Sequence, residues 1–239
     1  MTICPSGAQV AAAGETGDHA RVTARRAALF DMDRTLVRID TGTLYVRYQR
    51  DIGEATWCDT ARVAWWMLQY TLGVIDAERV AEQALRSFTG KRETWLEETC
   101  KVWFTDYVLA HVAQAGRSAV ARHAEAGDFV AIVTGSTPYA ARPLARELGI
   151  AHVAATRLEV DDGCFTGRVT KPMGYGRGKV VLAERMAAEH GFSLAESTFY
   201  SDRITDLPLL ELVKTPVVVN PDRRLRRVAK RRGWRVESW

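Results

Sequence analysis

With 239 residues, the chain has room for one full α/β core and one smaller inserted unit, since domains run to roughly 100–200 residues. Its 47% apolar and 26% charged composition excludes a disordered or fibrous class. The formal charge of +4 is unevenly placed, with eight Lys or Arg against Asp222 and Glu237 in residues 222–239, so any attraction to polyanions belongs to that end.

Residues 1–25 are rich in Ala, Gly, Thr and charge and lack the apolar stretch of a secretory signal. They predict a disordered leader. No apolar run approaches the ~20 residues that cross a bilayer, so the sequence predicts a cytoplasmic protein. Cys4, Cys58, Cys100 and Cys164 are too dispersed for a zinc site or a disulfide framework.

The first apolar run, Ala27-Ala28-Leu29-Phe30, ends in acids and predicts a buried parallel strand. Nearly a hundred residues of helical character follow, with Trp65, Trp66, Leu68, Leu72, Trp95, Trp103 and Tyr107 at amphipathic spacings. That is too long for a simple crossover. It predicts a helical cap, residues 42–112, inserted into a core made of 26–41 and 113–239. Aromatic stripes at helical spacing usually pack internally, which places Trp65 and Trp66 in the core of the cap. The next strand, Phe129-Val130-Ala131-Ile132-Val133, runs into Thr134-Gly135-Ser136 and a helix from about Pro138. Alternation over Arg157–Thr170, broken by Asp161-Asp162-Gly163, predicts a hairpin, because Asp-Gly favours tight primed turns. Thr198-Phe199-Tyr200 and Val217-Val218-Val219 complete the apolar strands. The fold class is therefore α/β, a Rossmann-like parallel sheet with an inserted helical cap. Ligands of such sheets bind beyond the carboxyl ends of the strands, where the polar clusters should converge. In the basic tail, Leu225, Val228 and Ala229 supply an apolar helix face, which predicts docking on the core rather than a nucleic-acid site. Trp234 alone interleaves there as a stacking aromatic.

Four clusters carry chemistry. Asp31-Met32-Asp33-Arg34-Thr35-Leu36 places two carboxylates at alternate positions after a strand, which calls for a shared proton or a hard metal; strand-end turn acids are the plain alternative. Thr134-Gly135-Ser136 offers hydroxyls and free amides suited to a phosphate, or merely an N-cap from Ser136 or Thr137. Gly174-Tyr175-Gly176-Arg177-Gly178-Lys179 leads into a helix but lacks the spacing of a nucleotide P-loop. Tyr200-Ser201-Asp202-Arg203-Ile204-Thr205-Asp206 sets two acids four apart, able to share one face of a first helical turn, or simply to suit the helix dipole.

In this order, DMDRTL, IVTGS, GRGK and YSDRITD resemble the four motifs of the haloacid dehalogenase superfamily, and most nearly its phosphoserine-phosphatase-like branch. The resemblance covers about residues 26–236. It implies a phosphomonoesterase in which Asp31 attacks phosphorus, Asp33 is general acid and then base, and Thr134 and Lys179 hold the phosphate. It further implies a Mg2+ cofactor bound by Asp31, the Asp33 carbonyl and Asp202, with Asp206 orienting either the metal shell or Lys179. Thr35, Gly135 and Thr205 would contribute to substrate binding. Thr205 departs from the branch, which commonly has Asn there. Asp40 falls where phosphoserine phosphatases place a Glu that recognises the substrate's amino group, and Arg86 is the candidate for a substrate carboxylate. The partner implied is a small phosphate ester; an apolar or imidazole-bearing ester such as a lipid phosphate or histidinol phosphate, or a non-catalytic phosphate-binding role, are the alternatives. Oligomeric state is not legible in the sequence.

Overall fold

Strand β1, Ala27–Phe30, is buried on both faces, which is why its four residues are all apolar. The computed structural model describes residues 25–54, 56, 65, 82, 83 and 85–239. The expected leader before residue 25, with Cys4, Trp57, Cys58, Trp66, Leu68 and Leu72, lies outside the described residues. After β1 come α1 (Thr41–Asp51), α2 (Glu93–Trp103), α3 (Gln114–Glu125), β2 (Phe129–Val133), α4 (Pro138–Glu147) and β3 (His152–Ala154). The hairpin β4 (Arg157–Asp161) and β5 (Cys164–Thr170) leads to α5 (Arg177–His190) and β6 (Thr198–Ser201). The chain closes with α6 (Leu207–Leu210), β7 (Thr215–Val219), α7 (Arg223–Arg232) and β8 (Arg235–Glu237).

The main sheet has the order β3-β2-β1-β6-β7-β8, and every pairing is parallel. Its two faces bury different residues, as the two-residue period of a strand requires. Ala27, Leu29, Ala131, Phe199 and Val218 pack on one side with Ala183 of α5, Leu209 and Leu210 of α6, and Leu225 and Ala229 of α7. Ala28, Phe30, Ile132, Tyr200 and Val217 pack on the other with residues of α1 to α4. The polar clusters that follow β1, β2 and β6 therefore emerge together at the carboxyl edge.

The described part of the segment between β1 and β2 is mainly helical, with a 3-10 turn at Arg86–Phe88 and a widened turn at Phe104–Val108 after α2. Trp103 is fully buried and Tyr45 packs edge-on against it. Trp65, expected in the core, is 57% exposed. The hairpin of β4 and β5 is not an isolated ornament of the core. Gly90 donates its N–H to Phe165, Phe165 to Lys91, and Glu93 to Gly163, which stitches the hairpin to the start of α2. The sequence did not announce β3 or the edge strand β8; each has three residues, too short for a periodic signal.

The basic helix α7 docks as its apolar spacing predicts, with Leu225 and Ala229 buried and the arginines outward. No described helix is long and apolar enough to cross a membrane. Leu225→Ala should therefore lower unfolding free energy by about 3 kcal/mol, as a buried leucine truncation does, while Arg226→Ala changes it by less than about 0.5 kcal/mol. Chemical denaturation checks both; equal small effects would mean the helix is a solvated appendage.

Candidate active site

Asp31 leaves the end of β1, Asp202 and Asp206 follow β6, and Lys179 stands in the first turn of α5. The fold brings them together: Lys179 Nζ donates to Asp31 Oδ1 at 2.7 Å and to Asp206 Oδ2 at 2.6 Å. All four side chains are buried, Lys179 and Asp202 almost wholly. Ser201 Oγ also donates to Asp206 Oδ2, at 2.7 Å. Asp206 is thus bonded to both Lys179 and Ser201.

The cluster carries more negative charge than it neutralises. Burial raises the pKa of Asp31 even with an ammonium beside it. Burial, with the nearby Asp31, pushes Asp202 up to about 8. Burial would lower the pKa of Lys179, but Asp206 and Asp31 outweigh it and raise it, so the ammonium stays charged. Asp33 is half-buried; burial and then the charges of Asp40 and Asp31 push it up to about 7. Its Oδ1 accepts the N–H of Thr41 at 2.6 Å.

A hard divalent cation fits this donor set. Asp202 Oδ1 is buried with no hydrogen-bond partner, and Asp202 Oδ2 meets only the guanidinium groups of Arg34 at 3.2 Å and Arg203 at 3.6 Å among the ion pairs of the described residues. An orphaned buried carboxylate oxygen is costly unless something positive completes it. No group of three or more His, Cys, Asp or Glu side chains among the described residues is disposed to hold a metal alone. Two carboxylates, a main-chain carbonyl, water and substrate oxygens are the kind of shell Mg2+ accepts.

Thr134, fully buried after β2, accepts the N–H of Ser136 at 3.1 Å on its own hydroxyl. The expected cap from Thr137 is absent: Thr137 is the N-cap of α4 but makes no side-chain cap bond. The Thr134 loop and the Gly-rich loop touch directly. A Cβ at Gly174 would collide with the Thr134 carbonyl oxygen, and a Cβ at Gly135 would collide with the Tyr175 ring. Thr156 joins the same two loops, donating to the Gly135 carbonyl at 2.8 Å and accepting the Gly174 N–H at 2.9 Å. Neither Thr156 nor Tyr175 was singled out from sequence; only Tyr175 fell within a motif.

Of the other expected residues, Thr35 is buried with its hydroxyl unpartnered, and Thr205 lies beside Gly176. Asp40 N-caps α1 and pairs with Arg203 at 2.8 Å. Arg86 is exposed on its 3-10 turn, and no hydrogen bond or ion pair joins it to the acidic cluster.

A family model described as haloacid dehalogenase-like hydrolase matches residues 28–211. The chain belongs to that family. Among curated proteins, a histidinol-phosphatase of Neisseria meningitidis is 30% identical over 214 residues, 87% of this chain and 96% of that one. Phosphoserine phosphatase SerB1 of Mycobacterium tuberculosis is 32% identical over 240 residues, 97% of this chain and 76% of that one. Among solved structures, a protein of unknown function from Bordetella pertussis superposes with a TM-score of 0.84 at 34% identity, covering 90% of this chain and 99% of that one. This haloacid dehalogenase-like chain is a phosphatase of the phosphoserine-phosphatase-like branch.

Removing the shared ammonium should be costly. In metal-free buffer, Lys179→Met should destabilise the fold by about 3–5 kcal/mol at pH 8, because breaking a buried pair strands its partners' charges. The deficit should shrink as pH falls, because Asp31, whose pKa burial already raises, can take up a proton instead. A pH-independent loss under 1 kcal/mol would show that the cluster is open to water.

Proposed function

We propose that the chain hydrolyses a small phosphorylated metabolite with Mg2+, by way of an aspartyl-phosphate on Asp31. The observation that carries this reading is the buried Asp31 carboxylate, held by Lys179 at 2.7 Å beside an Asp202 oxygen that lacks any partner. Asp31, Asp202 and the Asp33 carbonyl would hold the ion. Bound there, Mg2+ supplies the positive charge that lets one anion approach another and stabilises the transferring oxygens.

Asp31 attacks phosphorus while the bond from phosphorus to the alcohol oxygen breaks. Asp33, whose proton is retained to near neutrality, gives that proton to the departing alkoxide. The alcohol leaves, and Asp33 is now a carboxylate. It accepts a proton from the water that attacks the phosphoryl group, so that inorganic phosphate departs and Asp31 is restored. Lys179 keeps Asp31 oriented and offers its charge to the phosphoryl oxygens. Thr134 accepts from Ser136 N–H, an arrangement that leaves its hydroxyl hydrogen to donate to phosphate. Thr205 offers a hydroxyl where the branch commonly has an amide.

The residues 42–112 act in this reading as a cap that closes over the alcohol portion and excludes water. The relatives named for histidinol phosphate and phosphoserine favour a small metabolite ester over a macromolecule.

Hydrolysis of an aryl phosphate should vanish in excess chelator and return on adding Mg2+. Asp31→Asn should lower kcat by at least about three orders of magnitude, the scale of losing a nucleophile, with an unchanged circular dichroism spectrum. Phosphate release measured on both counts decides it; full turnover in chelator, or near-wild-type turnover by Asp31→Asn, would refute the reading.

A further inference from the structure

We propose that Arg203 sets leaving-group selectivity: by holding the Asp40 carboxylate in an ion pair, it keeps the site from favouring esters whose alcohol portion carries an ammonium group. This rests on the phosphomonoesterase reading above and narrows its substrate class.

The place where the alcohol departs is marked by Asp33, and Asp33 Oδ1 accepts the N–H of Thr41 at 2.6 Å. Asp40 immediately precedes Thr41, and its charge acts on Asp33 while Asp33, Asp40 and Arg203 all act on the Tyr175 hydroxyl, so its carboxylate borders the leaving-group position. Asp40 and Arg203 are 27% and 28% exposed, partly withdrawn from water. A lone carboxylate in such a place would draw any cation on the leaving group, because opposite charges a few ångströms apart attract strongly outside bulk water.

That carboxylate is already engaged on both oxygens. Arg203 Nη2 donates to Asp40 Oδ2 at 2.8 Å, while Asp40 Oδ1 accepts the N–H of Thr43 at 3.3 Å and caps α1. The same guanidinium reaches toward Asp202 Oδ2, with Nε at 3.6 Å, while the main-chain N–H of Arg203 donates to Ser201 Oγ at 3.4 Å. The guanidinium thus lies between two carboxylates, and the backbone beneath it is bonded as well. A guanidinium keeps its charge at any working pH and matches a carboxylate better than a point ammonium does. An incoming ammonium must therefore displace an equal charge that is already positioned, and gains nothing over a neutral alcohol. Arg203 and Asp40 are 163 residues apart in sequence. The chain should accordingly differ in preference from proteins that act on amino-bearing esters.

The test compares phosphoethanolamine with glycerol 3-phosphate, which share the phosphoryl group and differ in the charge of the alcohol. In an Asp31→Asn background, Kd for both is measured by calorimetry with Mg2+ present. Adding Arg203→Ser should shift the ratio of the two Kd values about fivefold in favour of phosphoethanolamine, the scale of a partly exposed charge pair. Arg203→Gln, closer in length but uncharged, should do the same. Adding Asp40→Asn, which keeps the helix cap, should cancel the shift. An unchanged ratio in both Arg203 variants, or a shift that survives Asp40→Asn, overturns the proposal. Turnover surviving in Asp31→Asn would instead sink the nucleophile reading, and the selectivity is then decided by the same ratio taken in kcat/KM.

Discussion

One buried ammonium organises this molecule. Lys179 bridges Asp31 and Asp206, and so ties the end of β1, the first turn of α5 and the loop after β6 to a single point. Burying three charges is expensive, and the cost is offset only when geometry and further hydrogen bonds are good. Ser201 supplies one such bond to Asp206. Any slip of β6 against β1 would separate these groups and strand them in a low dielectric. The sheet register, Leu29 opposite Phe199 and Phe30 opposite Tyr200, is thus coupled to the chemistry at its edge.

Neighbouring loops are held by contacts that leave little freedom. Thr156 clips the Gly135 carbonyl to the Gly174 N–H, so the loops after β2 and before α5 are joined through one side chain. Arg34 adopts a left-handed backbone, with φ at 55°, and Asn220 donates to its carbonyl at 3.1 Å. Asp222 accepts the N–H of Ile204 and also caps α7, linking the acidic loop to the docked basic helix. Part of the work of that basic tail is consequently mechanical: its first turn steadies the loop that carries Asp202.

Much of this was legible because it is written in short range. β1 and β2 follow unbroken apolar runs whose limits the structure reproduces, and the Asp-Gly hairpin falls where its turn residues place it. Asp31, Asp202 and Asp206 could be picked out because their motifs sit at strand ends, where a parallel sheet gathers its ligands, whereas Lys179, in a helix's first turn, was reached through the resemblance of its Gly-rich motif. The pairing of Arg203 with Asp40 was not legible, since no spacing rule relates residues in different elements. Thr156 stands outside every motif and acts only through two loops that the fold brings together. Arg86 was proposed from residue type alone, and it stands exposed on a 3-10 turn. Trp65 shows how an aromatic at helical spacing can still face water.

The central claim is that the Lys179-held carboxylate of Asp31 itself receives the phosphoryl group. The most direct measurement is an acid quench during steady turnover of a phosphate ester, followed by peptide mass analysis. The account predicts a phosphoryl adduct on the peptide containing Asp31, absent when Lys179 is replaced by methionine. Turnover at an undiminished rate with no adduct on that peptide, or with the adduct on another residue, would contradict it.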